Sequence, residues 1–79
     1  MLKAIEILLG SNNFKKRGNH SVQVVNTSRQ FTYHNTVICD VDDDKKVFQC
    51  NNGGWNTSST TRAINDYRHY FNSIGYKEC

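Results

Sequence analysis

The sequence predicts an α+β fold: a small four-stranded antiparallel sheet, connected as a meander, flanked by an N-terminal and a C-terminal helix in the order α-β-β-β-β-α. Apolar residues recur at helical spacing near both ends of the chain, and the middle is rich in β-branched and aromatic residues that alternate with polar ones. Short polar clusters separate the alternating runs. The 79 residues are expected to form a single domain, residues 1–79, near the lower size limit for a core without disulfides or metals.

The first element is predicted to be a short helix. Four apolar residues share one helical face, namely Leu2, Ile5, Leu8 and Leu9. Gly10 follows them and is expected to end the helix in the left-handed conformation. The next stretch, SNNFKKRGNH, mixes Asn, Gly and charged residues, which indicates a loop whose Phe14 packs back on the core as an anchor.

Strands are predicted from Ser21 onward, because the hydrophobic period changes there from helical to alternating. The four runs are SVQVVN, QFTYH, VICDV and KVFQC, with turn residues between them. Alternation assigns one set of side chains to one face of the sheet: Val22, Val24, Phe31, Tyr33, Val37, Cys39 and Val41. It assigns His34, Ile38 and Asp40 to the opposite face.

The segment NNGGWNTSSTTRAIN, residues 51–65, is predicted to be a corner between the last strand and the C-terminal helix. Residues 52–54 tolerate positive φ, which lets the chain turn sharply and deliver Trp55 to the edge of the core. A hydroxyl residue among 57–59 is expected to cap the helix. The hydroxyl run at 57–61 leaves a second interpretation open, an anion site at the helix N-terminus, although the nucleotide P-loop pattern is absent.

An amphipathic helix is predicted after this corner. Its apolar side consists of Ile64, Tyr67, Phe71 and Ile74. Its polar side consists of Arg62, Asp66, His69 and Ser73. The helix is expected to end near Gly75.

The charge pattern is mild and bipolar. The formal net charge is +3, which is well below the strongly basic composition typical of nucleic-acid-binding domains. Four acidic residues cluster between two predicted strands: Asp40, Asp42, Asp43 and Asp44. They indicate a solvated turn, because the Gly and terminal Glu of a calcium-binding loop are missing.

The composition also favours a cytoplasmic location. No apolar run reaches the roughly 20 residues that cross a bilayer, so no membrane association is expected, and the start of the chain lacks the pattern of a secretion signal. Three cysteines, Cys39, Cys50 and Cys79, are an odd number at irregular spacing, which favours reduced thiols in a cytoplasm over a disulfide framework and leaves a Cys39–Cys50 bridge as the less favoured alternative.

Catalysis is not predicted. Nucleophilic catalysis needs a Cys or Ser with a positioned His and an orienting acid, whereas His20, His34 and His69 are expected on a loop, a strand end and a helix surface. Cys39, Cys50 and His34 lack the short paired spacing of a zinc site, so no metal or other cofactor is expected.

Six short segments share the pattern of a known family: GNHSV at 18–22, YHN at 33–35, VI at 37–38, GGWNT at 53–57, ST at 59–60 and IN at 64–65. In these segments the sequence resembles a family of small proteins encoded by tailed bacteriophages and prophages. The sequence departs from the family at Thr61 and Ala63, where Lys and Arg are common. This departure argues against phosphate binding at the N-terminus of the C-terminal helix. The family carries no assigned reaction, so the resemblance implies a phage accessory protein in the cytoplasm of the host cell.

Two functions from different classes remain as expectations. The preferred one is a non-enzymatic inhibitor, anti-CRISPR-like or otherwise anti-defence, that binds a host protein or ribonucleoprotein through the C-terminal helix: Arg62, Tyr67, Arg68, His69 and Tyr70. The alternative is a nucleic-acid-binding protein that contacts phosphates through the N-terminus of the last helix and through dispersed basic residues: Lys15, Lys16, Arg17, Arg29, Lys45, Lys46 and Arg62. Because the edge strands of so small a sheet can pair with those of a second copy, a homodimer is a further alternative.

Overall fold

The computed structural model describes residues 3–11, 13–54 and 57–79. The described chain forms two helices and a six-stranded mixed sheet, which confirms the α+β class. In chain order the elements are α1 (Lys3–Leu9), β1 (Lys15–Arg17), β2 (His20–Val25), β3 (Ser28–Tyr33), β4 (Thr36–Asp42), β5 (Val47–Cys50), α2 (Ser58–Ser73) and β6 (Lys77–Glu78). The expectations for Leu2 and Trp55 fall outside the described residues.

The sheet follows the order of the chain, β1-β2-β3-β4-β5-β6. The first five strands pair antiparallel with their neighbours, whereas β6 pairs parallel with β5. The four predicted strands are confirmed as β2 to β5. The prediction of a purely antiparallel four-stranded sheet is wrong, because a strand is added at each edge.

The added strand β1 lies in the stretch predicted to be a loop. Gly18 has a φ of +60°, and with Asn19 it forms a two-residue connection that pairs Arg17 with His20. Such tight connections with positive φ match the twist of paired strands, so the basic run folds back on β2. Phe14 precedes this strand and is 68% exposed, so its predicted role as a core anchor is wrong.

A β-bulge between β3 and β4 changes which side chains are buried. Phe31 pairs with Cys39 and Thr32 pairs with Val37, so Ile38 is an extra residue in β4. Ile38 is 1% exposed and Val37 is 39% exposed, which reverses the faces predicted for these two residues. The reason is that a bulge shifts the two-residue alternation by one position along the strand.

The N-terminus of α2 has the predicted cap. The hydroxyl oxygen of Thr57 accepts a hydrogen bond from the backbone N–H of Thr60, at 3.3 Å. Gly53 and Gly54 precede it with φ values of +61° and +87°. A Cβ at Gly53 would collide with the side chain of Thr36, so this corner packs closely on the start of β4.

The C-terminus of α2 explains the sixth strand. Gly75 has a φ of +93°, and the backbone N–H of Tyr76 donates to the carbonyl of Phe71 at 2.9 Å. The rings of Phe71 and Tyr76 are 5.3 Å apart, so the turn has both the hydrogen bond and the apolar contact of a Schellman motif. The motif reverses the chain, and β6 then runs along β5, where Val47 pairs with Lys77.

Helix α1 ends without the predicted left-handed glycine. The backbone N–H of Ser11 donates to the carbonyl of Leu8 at 3.1 Å, which closes the last turn. Gly10 is not among the residues with positive φ, so that part of the prediction is wrong.

Both helices pack on one face of the sheet, α1 against β1 and β2 and α2 against β4, β5 and β6. The buried core between them contains Ile5, Leu8, Leu9, Val22, Phe31, Ile38, Cys39, Val41, Phe48, Ala63, Ile64, Tyr67 and Phe71. Ile74 is the C-cap residue of α2 and is 47% exposed, so it is not part of the apolar side as predicted. Within the described chain, no helix has both the length and the apolarity that a membrane crossing requires.

Candidate interaction surfaces

The outward face of α2 forms a polar stripe. Arg62, Asn65, His69 and Asn72 are all exposed, and their spacing of three and four residues places them along one side of the helix. Opposite them, Ala63, Ile64 and Phe71 are buried in the core. We call these four exposed residues the α2 stripe. It contains two of the residues predicted to bind a protein partner, Arg62 and His69.

Arg68 lies beside the α2 stripe and is fixed by the last strand. Its Nε atom is 2.9 Å from Oε1 of Glu78, and its Nη2 atom is 2.9 Å from Oε2 of the same carboxylate. Its Nη1 atom donates to Oδ1 of Asn65 at 3.4 Å. The hydrogen bonds to Glu78 raise the pKa of Arg68. The guanidinium is therefore held in one orientation at a partly exposed position.

The two tyrosines predicted to contact a partner are not on this surface. Tyr67 is fully buried, so its predicted role in binding is wrong. It follows Ile64 by three residues and precedes Phe71 by four, and this spacing puts it on the apolar side of the helix. Burial raises the pKa of the Tyr67 hydroxyl. Tyr70 is half-buried, with its ring packed edge-on against Phe71 at 5.1 Å.

A second candidate surface surrounds β1. Lys15, Lys16 and Arg17 are all exposed and occupy consecutive positions of the strand at the edge of the sheet. By register, Lys15 and Arg17 lie on the helix-covered face with Val22 and His20, and Lys16 lies on the other face. Together with the exposed Phe14 they place three cations and an aromatic ring at one edge. We call residues 14–17 the basic edge.

Three rings form a cluster beside the basic edge. His20 and Tyr33 are stacked with their centroids 4.5 Å apart, whereas Tyr33 and His34 are tilted with their centroids 4.3 Å apart. Burial, with the charge of His34 as a smaller cause, lowers the pKa of His20. The Nδ1 atom of His20 is buried and has no hydrogen-bond partner among the described residues. The sequence carries no signal for this ring cluster, because His20 begins β2 whereas Tyr33 ends β3 and His34 follows it.

A cavity of about 490 Å³ lies between Tyr33 and His34 of this ring cluster and the N-terminus of α2. Its described lining consists of Tyr33, His34, Thr36, Ile38, Asn52, Thr57, Ser59 and Thr60. Thr57 and Thr60 are joined there through their hydroxyls at 2.9 Å, and Thr60 is buried. Two hydroxyls of the run at 57–61 therefore serve the helix cap, as the structural interpretation of that run predicts.

The other basic residues of the predicted phosphate-binding set lie elsewhere. Arg29 is paired with Asp43 and its side chain is 15% exposed, so its predicted role as a phosphate contact is wrong. The reason is that the acidic turn after β4 folds next to the start of β3, where Ser28 pairs with Asp42.

Lys45 and Lys46 lie in the same turn after β4, at the end of the sheet opposite to Gly18 and His34. They are therefore separated from the basic edge.

Comparison of the chain with models of protein families, with curated proteins and with solved structures found no match. The resemblance to small tailed-phage proteins therefore stays a prediction. The described residues present two candidate binding surfaces, the α2 stripe and the basic edge.

Proposed function

We propose that this protein is a non-enzymatic phage accessory protein that inhibits a host defence or replication machine by binding one of its proteins directly, in the manner of an anti-CRISPR protein. It acts in the cytoplasm of the host cell. The phage setting rests on the sequence resemblance, and the mode of action rests on the α2 stripe. The observation that carries the proposal is an exposed polar helix face with one arginine fixed beside it.

The size and composition of α2 suit a protein contact. The helix has 16 residues, so it presents a rod of about 24 Å. Arginine is among the residues that dominate binding energy at protein interfaces, and Arg62 and Arg68 stand on or beside the exposed side. Because Glu78 already orders Arg68, less side-chain entropy is lost when a partner carboxylate approaches it.

The arrangement of reactive residues supports binding without catalysis. His69 lies on α2, and the rings of His20 and His34 contact the ring of Tyr33. Nucleophilic catalysis requires a nucleophile, a base and an orienting group within hydrogen-bonding reach of one another. We therefore propose that these histidines take no part in nucleophilic catalysis.

Capture of the partner tests this proposal. Tagged wild-type protein and the Arg62→Ala, His69→Ala double variant are incubated with lysate of infected or defence-competent host cells. We expect a stoichiometric protein to be retained by the wild type and lost by the double variant, while both melt at the same temperature. Absence of any stoichiometric partner of the folded wild type would count against the inhibitor function.

A second candidate function, binding of single-stranded nucleic acid, is supported by the basic edge. Lys15, Lys16 and Arg17 provide phosphate contacts, and Phe14 is an exposed ring on which a base can stack. The counter-argument is the low net charge of +3. Affinity for an arbitrary single strand that falls steeply as salt rises would favour this candidate, and absence of binding at low salt would reject it.

The charges of β1 disfavour a homodimer formed by pairing of sheet edges. Pairing two copies of β1 would bring Lys15, Lys16 and Arg17 against the same cations of the second copy. At the other edge, β6 has only two residues to offer. We therefore propose that the free protein is a monomer.

A further inference from the structure

Two cysteines face each other across β4 and β5. Cys39 and Cys50 are direct partners in the register of these strands, and the backbone N–H of Asn51 donates to the carbonyl of Ile38 at 3.0 Å. This hydrogen bond joins the residues that flank the pair, so Cys39 and Cys50 form a non-hydrogen-bonded pair, in which the Cα atoms lie about 4.5 Å apart and the side chains are closest. That separation falls within the range that a disulfide spans.

The two thiols differ in exposure. Cys39 is fully buried in the core, whereas Cys50 is half-buried at the margin of the core beside Arg68. A reagent in solvent therefore reaches Cys50 first. Cys39 is placed behind it, where it can react only with its neighbour.

The thiols also differ in acidity. The hydrogen bond from the Cys39 thiol, together with the nearby Arg68 guanidinium, lowers the pKa of Cys50. The same hydrogen bond, with burial, raises the pKa of Cys39. An accessible thiol of lowered pKa with an adjacent second thiol is the arrangement found at reactive cysteine pairs.

We propose that Cys39 and Cys50 form a thiol–disulfide exchange site whose substrates are low-molecular-weight disulfides. The Cys50 thiolate attacks one sulphur of the small disulfide, the S–S bond breaks, and one thiolate leaves. Cys39 then attacks the Cys50 sulphur of the mixed disulfide and expels the second thiolate, which takes up the Cys39 proton. The protein gains one disulfide, and the small disulfide is reduced to two thiols.

The bridge would tie β4 to β5 around the turn that contains Asp43 and Asp44. It closes a short loop, from residue 39 to residue 50, which restricts the unfolded chain. We therefore expect oxidation to raise the melting temperature by roughly 10 °C or more. Oxidation would thus make the hairpin under α2 more rigid without changing the α2 stripe.

The test uses oxidised glutathione and the Cys79→Ser variant, which removes the exposed third thiol. We expect both remaining thiols to disappear in a thiol assay, the intact mass to fall by the mass of two hydrogen atoms, and peptide mapping to join Cys39 to Cys50. Dithiothreitol should reverse all three changes. A glutathione adduct that persists on Cys50 would overturn the proposal, because Cys39 would then not resolve it.

The order of attack has its own control. In the Cys50→Ser, Cys79→Ser variant, we expect Cys39 to stay unmodified under conditions that bridge the Cys79→Ser variant completely. Rapid glutathionylation of Cys39 in this variant would overturn the assignment of Cys50 as the attacking thiol. Lack of any reaction of the Cys79→Ser variant, while wild-type Cys79 is glutathionylated, would overturn the site itself.

Discussion

The guanidinium of Arg29 holds the carboxylate of Asp43 at two points, Nε to Oδ2 and Nη2 to Oδ1, both at 2.7 Å. The Nη1 atom of Arg29 donates to the carbonyl of Leu9 at the end of α1, and the Tyr76 hydroxyl donates to Oδ1 of Asp43 at 2.8 Å. The guanidinium also lies 5.4 Å from the ring centroid of Phe71 in α2. This one pair therefore connects both helices, β3, the turn after β4 and the C-terminal segment.

We expect Arg29→Met to lower the free energy of unfolding by about 3 kcal/mol, because Asp43 would lose its counter-charge at a partly buried position. Urea unfolding followed by circular dichroism measures this change. Lys45→Met removes one cation from the exposed neighbouring turn and is the matched control, with a change within about 0.5 kcal/mol. Equal effects of the two substitutions would contradict a structural role for the Arg29 pair.

Asp43 should make the protein sensitive to acid. Although partial burial alone would raise it, the hydrogen bonds from Arg29 and Tyr76 hold the pKa of Asp43 below its ordinary value. A carboxyl whose pKa is lower in the folded state stabilises the fold above its unfolded pKa of about 4 and loses that contribution as pH falls through the folded value. The melting-temperature gap between wild type and Asp43→Asn should therefore shrink below about pH 4. A gap that stays constant from neutral to acidic pH would refute this.

The bulge in β4 gives a test of the buried face. We expect Ile38→Ala to cost about 3 kcal/mol of unfolding free energy, because Ile38 is almost fully buried. Val37→Ala, at the neighbouring exposed position, should cost less than about 1 kcal/mol. Simple alternation along β4 would reverse the order of these two costs, so chemical denaturation of both variants distinguishes the two registers.

Most predictions that rest on a local signal hold, although the left-handed glycine expected at Gly10 does not. The periods of the helices, the four central strands, the cap at Thr57 and the end of α2 near Gly75 all depend on neighbouring residues, and the structure confirms them. A local signal for β1 was also present, since Gly-Asn between two short runs is a typical hairpin connection. The charged run KKR obscures this hairpin signal, because three consecutive cations are unusual in a strand except at the edge of a sheet.

Other features depended on contacts that no local pattern encodes. The bulge at Ile38 is set by pairing with β3, and β6 exists only because the turn at Gly75 returns the chain to β5. The burial of Arg29 depends on its ion pair with Asp43, which is 14 residues away in sequence. Tyr67 is a different case, because its spacing already places it on the apolar side of α2, and the enrichment of tyrosine at binding hot spots does not override that placement.

The basic edge and the α2 stripe can be separated by substitutions that leave the core intact. Lys16→Glu with Arg17→Glu reverses two exposed charges on β1. If the second candidate function holds, this variant should lose affinity for single-stranded nucleic acid, and the slope of affinity against salt should become shallower by roughly two phosphate contacts. Fluorescence anisotropy with a labelled single strand across a salt series measures both. Binding that is unaffected by the charge reversal would exclude the basic edge as the contact.

Arg62→Ala should weaken capture of a protein partner with little effect on stability. Its side chain is exposed on α2, so its removal creates no cavity, and the melting temperature should change by no more than a few degrees. An arginine at the centre of an interface typically contributes more than 1 kcal/mol, so we expect at least a roughly fivefold loss of affinity in surface plasmon resonance with the captured partner. Lys45→Ala, which removes an exposed cation from the far turn, is the matched control and should bind like the wild type. If Lys45→Ala and Arg62→Ala weaken binding equally, general charge and not the α2 stripe governs the interaction.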